Sequence, residues 1–283
     1  MRLSYLLICC LLLLQNTAGA RRVYHNFEDA LADKAEVKII RITHQTFDTL
    51  PDIFDQFPNL EELNLNSNNI RRLPPSLYAC RHLRELNLFH NKIDSISPAI
   101  ANLKELEVLS LSLNNLKHLP EAIGELPALR ELSLNGNAFA TLTQSIGRLP
   151  ELKRLHITGC KLTTLPESVT DLPKLELLEL SDNYLISLPA SLGNLKKLKF
   201  LYIARNQLAK VPESIGDCEM LQEADMVNAG MLVLPASMAD LRRLEVLYVD
   251  NHTTVFYPNP RMATHQRIYV VSPDSRFPYR PSQ

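Results

Sequence analysis

Five cysteines and eight histidines supply the residue types that most often ligate metals or act as nucleophile and base. Their spacing does not assemble that chemistry. No HExxH pair is present to seat zinc, and His44, His90, His118, His156 and His252 fall at unrelated positions. His156 and Cys160 stand four apart, but His156 is an outward strand position and Cys160 an inward one past the strand, so they are not a metal pair. There is no glycine-flanked nucleophilic serine, no P-loop and no dinucleotide-binding glycine motif. Acidic residues are plentiful, yet none are paired for general acid–base work. The expectation is a protein that is not an enzyme, with no catalytic residue, no cofactor and no metal.

What places these residues is a structural period, clearest in Leu106–Pro127, LEVLSLSLNNLKHLPEAIGELP. Leucine or isoleucine occupies steps 1, 4, 6, 11, 14, 18 and 21, with Asn114 at step 9 and Pro120 at step 15. The pattern restarts every 23 residues without insertion, at Val37, Leu60, Leu83, Leu106, Leu129, Leu152, Leu175, Leu198, Leu221 and Leu244. Steps 3 to 7 alternate as a half-buried strand does, with 4 and 6 inward and 3, 5 and 7 outward. One 23-residue coil cannot bury its own leucines. Stacked coils can, by pairing their strands and continuing the leucine rows from coil to coil.

The pattern LxxLxLxxNxL, read at Leu60-Leu63-Leu65-Asn68-Ile70 and Leu175-Leu178-Leu180-Asn183-Leu185, resembles the leucine-rich repeat family. The resemblance covers about Val37 to Pro258. It implies an α/β solenoid, a horseshoe with a parallel sheet on its concave face. The returns LPEAIGEL (119–126), LPESVTDL (165–172) and VPESIGDC (211–218) look like the Ras-group repeats and their bacterial relatives. Proline there forbids a ladder hydrogen bond, so each return is expected to be a short 3-10, extended or single-turn helical piece. The step-9 asparagines, six in ten coils, are read as structural, pairing with backbone groups where the chain leaves the strand. Cys160, Ala229 and His252 interrupt them, and the eighth to tenth repeats are expected to be less regular.

The ends divide the chain into four segments. A basic Met1-Arg2, an apolar Leu3–Leu14 and the small residues Ala18-Gly19-Ala20 form a secretory signal peptide pattern over 1–20. That run is short of the ~20 apolar residues of a membrane span, so no transmembrane segment is expected after signal removal. Residues 21–36 read as a capping helix with Asn26 as its N-cap. The repeats fill 37–258. The remainder, 259–283, reads as a C-terminal cap and irregular tail, with strand propensity at 267–272. Cys80 and Cys218 both occupy inward step 21, six coils and so ~29 Å apart, beyond disulfide reach. The resemblance makes this unlike animal extracellular relatives, whose caps are cysteine-rich, and favours a secreted or bacterial envelope protein. A cytoplasmic Ras-group-like scaffold is the alternative, with a carbohydrate-binding protein or hydrolase behind it. A formal net charge of −1 gives no reason to expect nucleic acid.

The outward positions carry the functional expectation. Ser110, Ser112, Ser133 and Asn135 make the middle of the array small and polar, but its C-terminal half changes. There Leu177, Phe200, Tyr202, Val246 and Tyr248 are expected to stand exposed, ringed by Arg154, His156, Glu179, Arg205, Asp225 and Asp250. Aromatics and arginine are enriched at interface hot spots. The expectation is a monomer that recognises a protein partner of unknown identity, and Tyr202→Ala with Tyr248→Ala is expected to abolish capture while sparing stability.

Overall fold

The structure, a computed structural model, describes residues 22–255 and 267–271. The N-terminal apolar run and its small-residue site, the start of the expected C-terminal cap (259–266) and the tail 272–283 lie outside the described residues. Each coil contributes a strand. In chain order they are β1 (Val23–Tyr24), β2 (Ile39–Arg41), β3 (Glu62–Asn64), β4 (Glu85–Asn87), β5 (Val108–Ser110), β6 (Glu131–Ser133) and β7 (Arg154–His156). There follow β8 (Leu177–Glu179), β9 (Phe200–Tyr202), β10 (Glu223–Asp225), β11 (Val233–Leu234), β12 (Val246–Asp250), β13 (Thr254–Val255) and β14 (Arg267–Val271). Twelve of these form one parallel sheet in chain order, from β1 to β10 and then β12 and β14. The repeat period sets the register: Leu109 pairs with Leu132, and Leu132 with Leu155.

The inward rows become the core. Leu106, Leu111, Leu116 and Ile123 have no exposed surface. Burying each leucine stabilises by roughly 2 kcal/mol, and only a stacked neighbour provides that burial. The step-9 amides close the strand ends. Asn114 Nδ2 donates to the carbonyls of Leu88 (2.9 Å) and Leu111 (3.0 Å), and Oδ1 accepts from the Ile93 N–H (2.9 Å). One step earlier the backbone turns left-handed in every coil from His44 (φ 58°) to Asn228 (φ 55°). In the two coils where Cys160 and Ala229 replace the asparagine, step 10 is left-handed as well, at Lys161 (φ 67°) and Gly230 (φ 133°). Cys160 Sγ keeps part of the amide's role by donating to the Leu134 carbonyl at 3.2 Å.

The returns are 3-10 helical, as at Glu121–Glu125 and Gln144–Arg148. Step 19 sets how closely they approach. A Cβ on Gly147 would lie 2.1 Å from the Ser168 carbonyl oxygen, and one on Gly124 would lie 2.3 Å from that of Ser145. Tyr78 occupies this step in the second coil, and a cleft of 940 Å³ opens over it, lined by Leu73, Pro75, Ala99, Asn102 and Lys104 among others.

The N-terminal segment departs from a helix running from Arg21 to Glu36. It holds β1, paired parallel to β2, and then the helix α1 (Phe27–Ala32). The unpaired edge of β2 offers backbone partners that outweigh the helical spacing of Tyr24 and Phe27. Asn26 accepts from the Asp29 N–H at 2.7 Å as the N-cap. The Phe27 ring meets Phe54 edge-on, 5.7 Å between centroids, covering the first coil.

Candidate partner-binding face

Register decides which outward side chains meet. Step 3 places Leu177, Phe200, Glu223 and Val246 in one row, and step 5 places Glu179, Tyr202, Asp225 and Tyr248 in the next. Leu177, Phe200, Val246 and Tyr248 are half-buried on this face, less exposed than their outward steps imply. The Phe200 and Tyr202 rings stack with centroids 6.5 Å apart.

Three of the expected contact residues are instead mostly enclosed. Tyr202 is 7% exposed, and its hydroxyl bonds to Glu223. The sheet spacing packs its ring against its neighbours, so truncating it would remove structure as well as surface. Asp225 is 9% exposed and accepts the Val227 N–H at 3.0 Å. Asp250 is only 2% exposed because it closes the turn after β12, accepting from the His252 N–H at 2.8 Å and from the Asn228 N–H. It reaches across to the ninth coil, where Ala229 leaves the step-9 amide missing.

The polar rim is already engaged. Arg154 is exposed and clamps Glu131 from Nε at 2.8 Å, while Arg205 clamps Asp182 from Nη2 at 2.6 Å. His156 Nδ1 lies 2.7 Å from Glu179 Oε2. Ser133, His156 and Glu179 thus follow one another across β6, β7 and β8 in the order of a nucleophile, base and orienting acid. Among the described residues no hydrogen bond joins Ser133 to His156, and the backbone N–H of Leu134 is spent on the His156 carbonyl at 2.8 Å. Among the described residues the row therefore lacks the nucleophile–base contact, and the Leu134 donor is taken.

Burial dominates the electrostatics. It pushes the Asp225 carboxyl above the usual range, opposed by the Val227 N–H and the Arg205 charge. Glu223 is also raised, by burial first and by Asp225 beside it, against the Tyr202 hydrogen bond. The thiols of Cys80 and Cys218 are both pushed up to about 12 by burial, which leaves them poor nucleophiles. Among the described residues no three His, Cys, Asp or Glu side chains are grouped to hold a metal ion.

A second apolar area was not anticipated. Tyr184 and Ile186 at steps 10 and 12 of the seventh coil stand exposed, as do Met231, at 83%, and Val233 in the ninth. Earlier coils carry polar or small residues at steps 10 and 12, such as Lys92 and Asp94, so the change at Tyr184 was visible in the sequence. Met231 was not. The turn at Ala229 and Gly230 slips the ninth coil by one residue, so Leu232 takes the buried place and Met231 faces out.

An all-parallel sheet backed by short 3-10 returns, one of each per 23-residue coil, defines a repeat solenoid. The chain carries leucine-rich repeats. The family model described as leucine rich repeat matches residues 81–139 and 150–208, and a two-copy model of the same repeat matches 58–103. A leucine-rich repeat protein of Leptospira interrogans superposes with a TM-score of 0.74 at 27% identity, over 89% of this chain and 71% of that one. An internalin of Listeria monocytogenes superposes with 0.74 at 18% identity, over 93% and 76%. A plant peptide hormone receptor, RGFR1 in complex with RGF2, gives 0.70 at 23% identity, over 89% and 46%. No curated protein matches the chain. The family is generally a non-enzymatic recognition module, and its fold commonly mediates protein–protein interaction.

Proposed function

We propose that this chain is a non-catalytic recognition module acting outside the cytoplasm, holding a protein partner against its concave face between Arg154 and Tyr248. The observation that carries the reading is the apolar group Leu177, Phe200, Val246 and Tyr248, half-exposed on one face of a sheet whose backbone is fixed by pairing on both sides. Apolar side chains ringed by Arg154, Glu179 and Arg205 have the anatomy of an interface core and its polar rim. Export is supported by the apolar run Leu3–Leu14 and the small residues before Arg21. No helix among the described residues is long and apolar enough to cross a membrane.

The test is affinity capture from envelope and medium with wild type and Phe200→Asp. A partner held by wild type and lost by the variant supports the face; equal capture removes it. Fractionation with N-terminal sequencing tests location, since a chain beginning at Arg21 outside the cytoplasm supports export. An intact Met1 inside the cell selects the cytoplasmic scaffold. A second reading places the contact on the lateral edge at Tyr184, Ile186, Met231 and Val233, which expose more apolar surface. Capture lost by Ile186→Asp and kept by Phe200→Asp would select it.

A further inference from the structure

Past the strands, the coils are laddered as regularly as in the sheet. The step-10 N–H donates to the step-11 carbonyl of the coil before, Lys92 to Ile70 at 2.9 Å, Tyr184 to Leu162 at 2.8 Å and Gln207 to Leu185 at 2.9 Å. Step 11 is buried, so steps 10 and 12 turn outward and form a lateral edge. From the second coil to the eighth this edge carries six exposed cations at steps 10, 12 and 13: Arg71, Arg72, Lys92, Lys117, Lys161 and Lys210. One acid stands among them, Asp94, which accepts the Ser95 hydroxyl at 2.9 Å. Among the described residues none of the six cations is ion-paired. On the strand side, by contrast, Arg154, Lys199 and Arg205 each pair with an acid of the coil before, Glu131, Glu176 and Asp182. Acids resume on the returns at step 16, where Glu121 and Glu167 accept the Thr143 and Ser191 hydroxyls. In a chain of formal net charge −1, the edge gathers positive charge that the rest lacks. Its C-terminal part also exposes Tyr184, Ile186, Met231 and Val233. Lys161 and Lys210 stand one coil to either side of Tyr184 and Ile186, and Lys210 bridges to Val233 through the backbone.

We propose that this lateral edge rests on the surface of an anionic lipid bilayer. Tyr184, Ile186 and Met231 enter the headgroup layer, and the six cations lie over lipid phosphates. The second and ninth coils are seven spacings apart, so charge and apolar surface extend along roughly 34 Å of edge. A soluble polyanion would account for the cations but gives no place to four exposed apolar side chains. The interfacial layer of an anionic bilayer accepts both, apolar groups at the acyl boundary and lysine or arginine at the phosphates. Tyrosine suits that depth, with an apolar ring and a polar tip. The proposal is separate from the concave-face reading, because strand-side and edge residues point to different sides of the coil.

The test is co-sedimentation with vesicles of the chain from Arg21 onward, which holds every described residue and leaves out the apolar run Leu3–Leu14. Vesicles of phosphatidylcholine and phosphatidylglycerol in equal parts are expected to carry it down, and vesicles of phosphatidylcholine alone to leave it in solution. Lys161→Gln with Lys210→Gln is expected to weaken binding about tenfold or more. Ile186→Ser with Met231→Ser is expected to weaken it by a similar factor, and Phe200→Asp to leave it unchanged. The four edge side chains are exposed, and melting midpoints equal to that of wild type separate lost binding from lost folding. No sedimentation with the anionic vesicles, or sedimentation that neither pair weakens, overturns the proposal. Binding weakened by the cation pair alone and matched on soluble polyglutamate overturns it in favour of an acidic macromolecule. Loss with Phe200→Asp moves the lipid contact to the concave face and overturns it as well.

Discussion

Asn114 satisfies three backbone groups at once, the Leu88 and Leu111 carbonyls and the Ile93 N–H, in a region without access to water. Asn114→Ala orphans the Ile93 N–H, while the Leu88 and Leu111 carbonyls keep the Nδ2 groups of Asn91 and Asn137; at about 1–3 kcal/mol for a buried group a loss of that order is expected, measured by urea unfolding. Asp225 works in the opposite direction. Burial raises its carboxyl above the ordinary aspartate value in the folded state, so ionisation costs stability. That cost is absent below the unfolded value and grows as pH rises through the folded one. Asp225→Asn is therefore expected to melt higher than wild type at pH 7 and no higher at pH 3. Tyr202 and Tyr248 separate for a related reason. Tyr202 is enclosed and bonded to Glu223, so Tyr202→Ala is expected to lower the melting midpoint, and the half-buried Tyr248 is the better probe of partner capture.

At the scale of the element, the return is held by what its step 19 leaves out. Gly147→Ala puts a methyl 2.1 Å from the Ser168 carbonyl, a contact that backbone must yield to relieve, and about 1–3 kcal/mol of destabilisation is expected by denaturant titration. Strand positions and leucine rows were legible because burial on a stacked scaffold allows one register, which repeats ten times in the sequence. Three things were not. β1 answers to the open edge of β2, a demand no local spacing records. The slip that exposes Met231 follows from how Gly230 turns, with φ 133° beside the Leu208 backbone. The enclosure of Tyr202, Asp225 and Asp250 depends on neighbouring coils, whereas alternation tells only which way a side chain starts.

Across the whole molecule, each coil contacts only its neighbours, so the ends carry a burden the middle does not. At one end β1 and α1 cover β2, with Phe27 on Phe54; at the other β14 pairs β12 over five residues, Val246 to Asp250. Removing residues 22–36 is expected to expose the β2 edge and the first leucine row, giving concentration-dependent self-association by light scattering where the full chain gives none. The same neighbour-only geometry gives Tyr78 a second meaning. A sheet fixes the pitch on the inner side of the arc, so the spacing of the returns on the outer side sets the bend between coils. Glycine at Gly124, Gly147, Gly193 and Gly216 lets the returns close up, and a larger residue at this step, such as Tyr78, is expected to hold them apart and tighten the arc. Curvature is thus set one residue per coil, at a position outside the inward leucine steps and off the displayed face. The shape offered to a partner can drift without disturbing either.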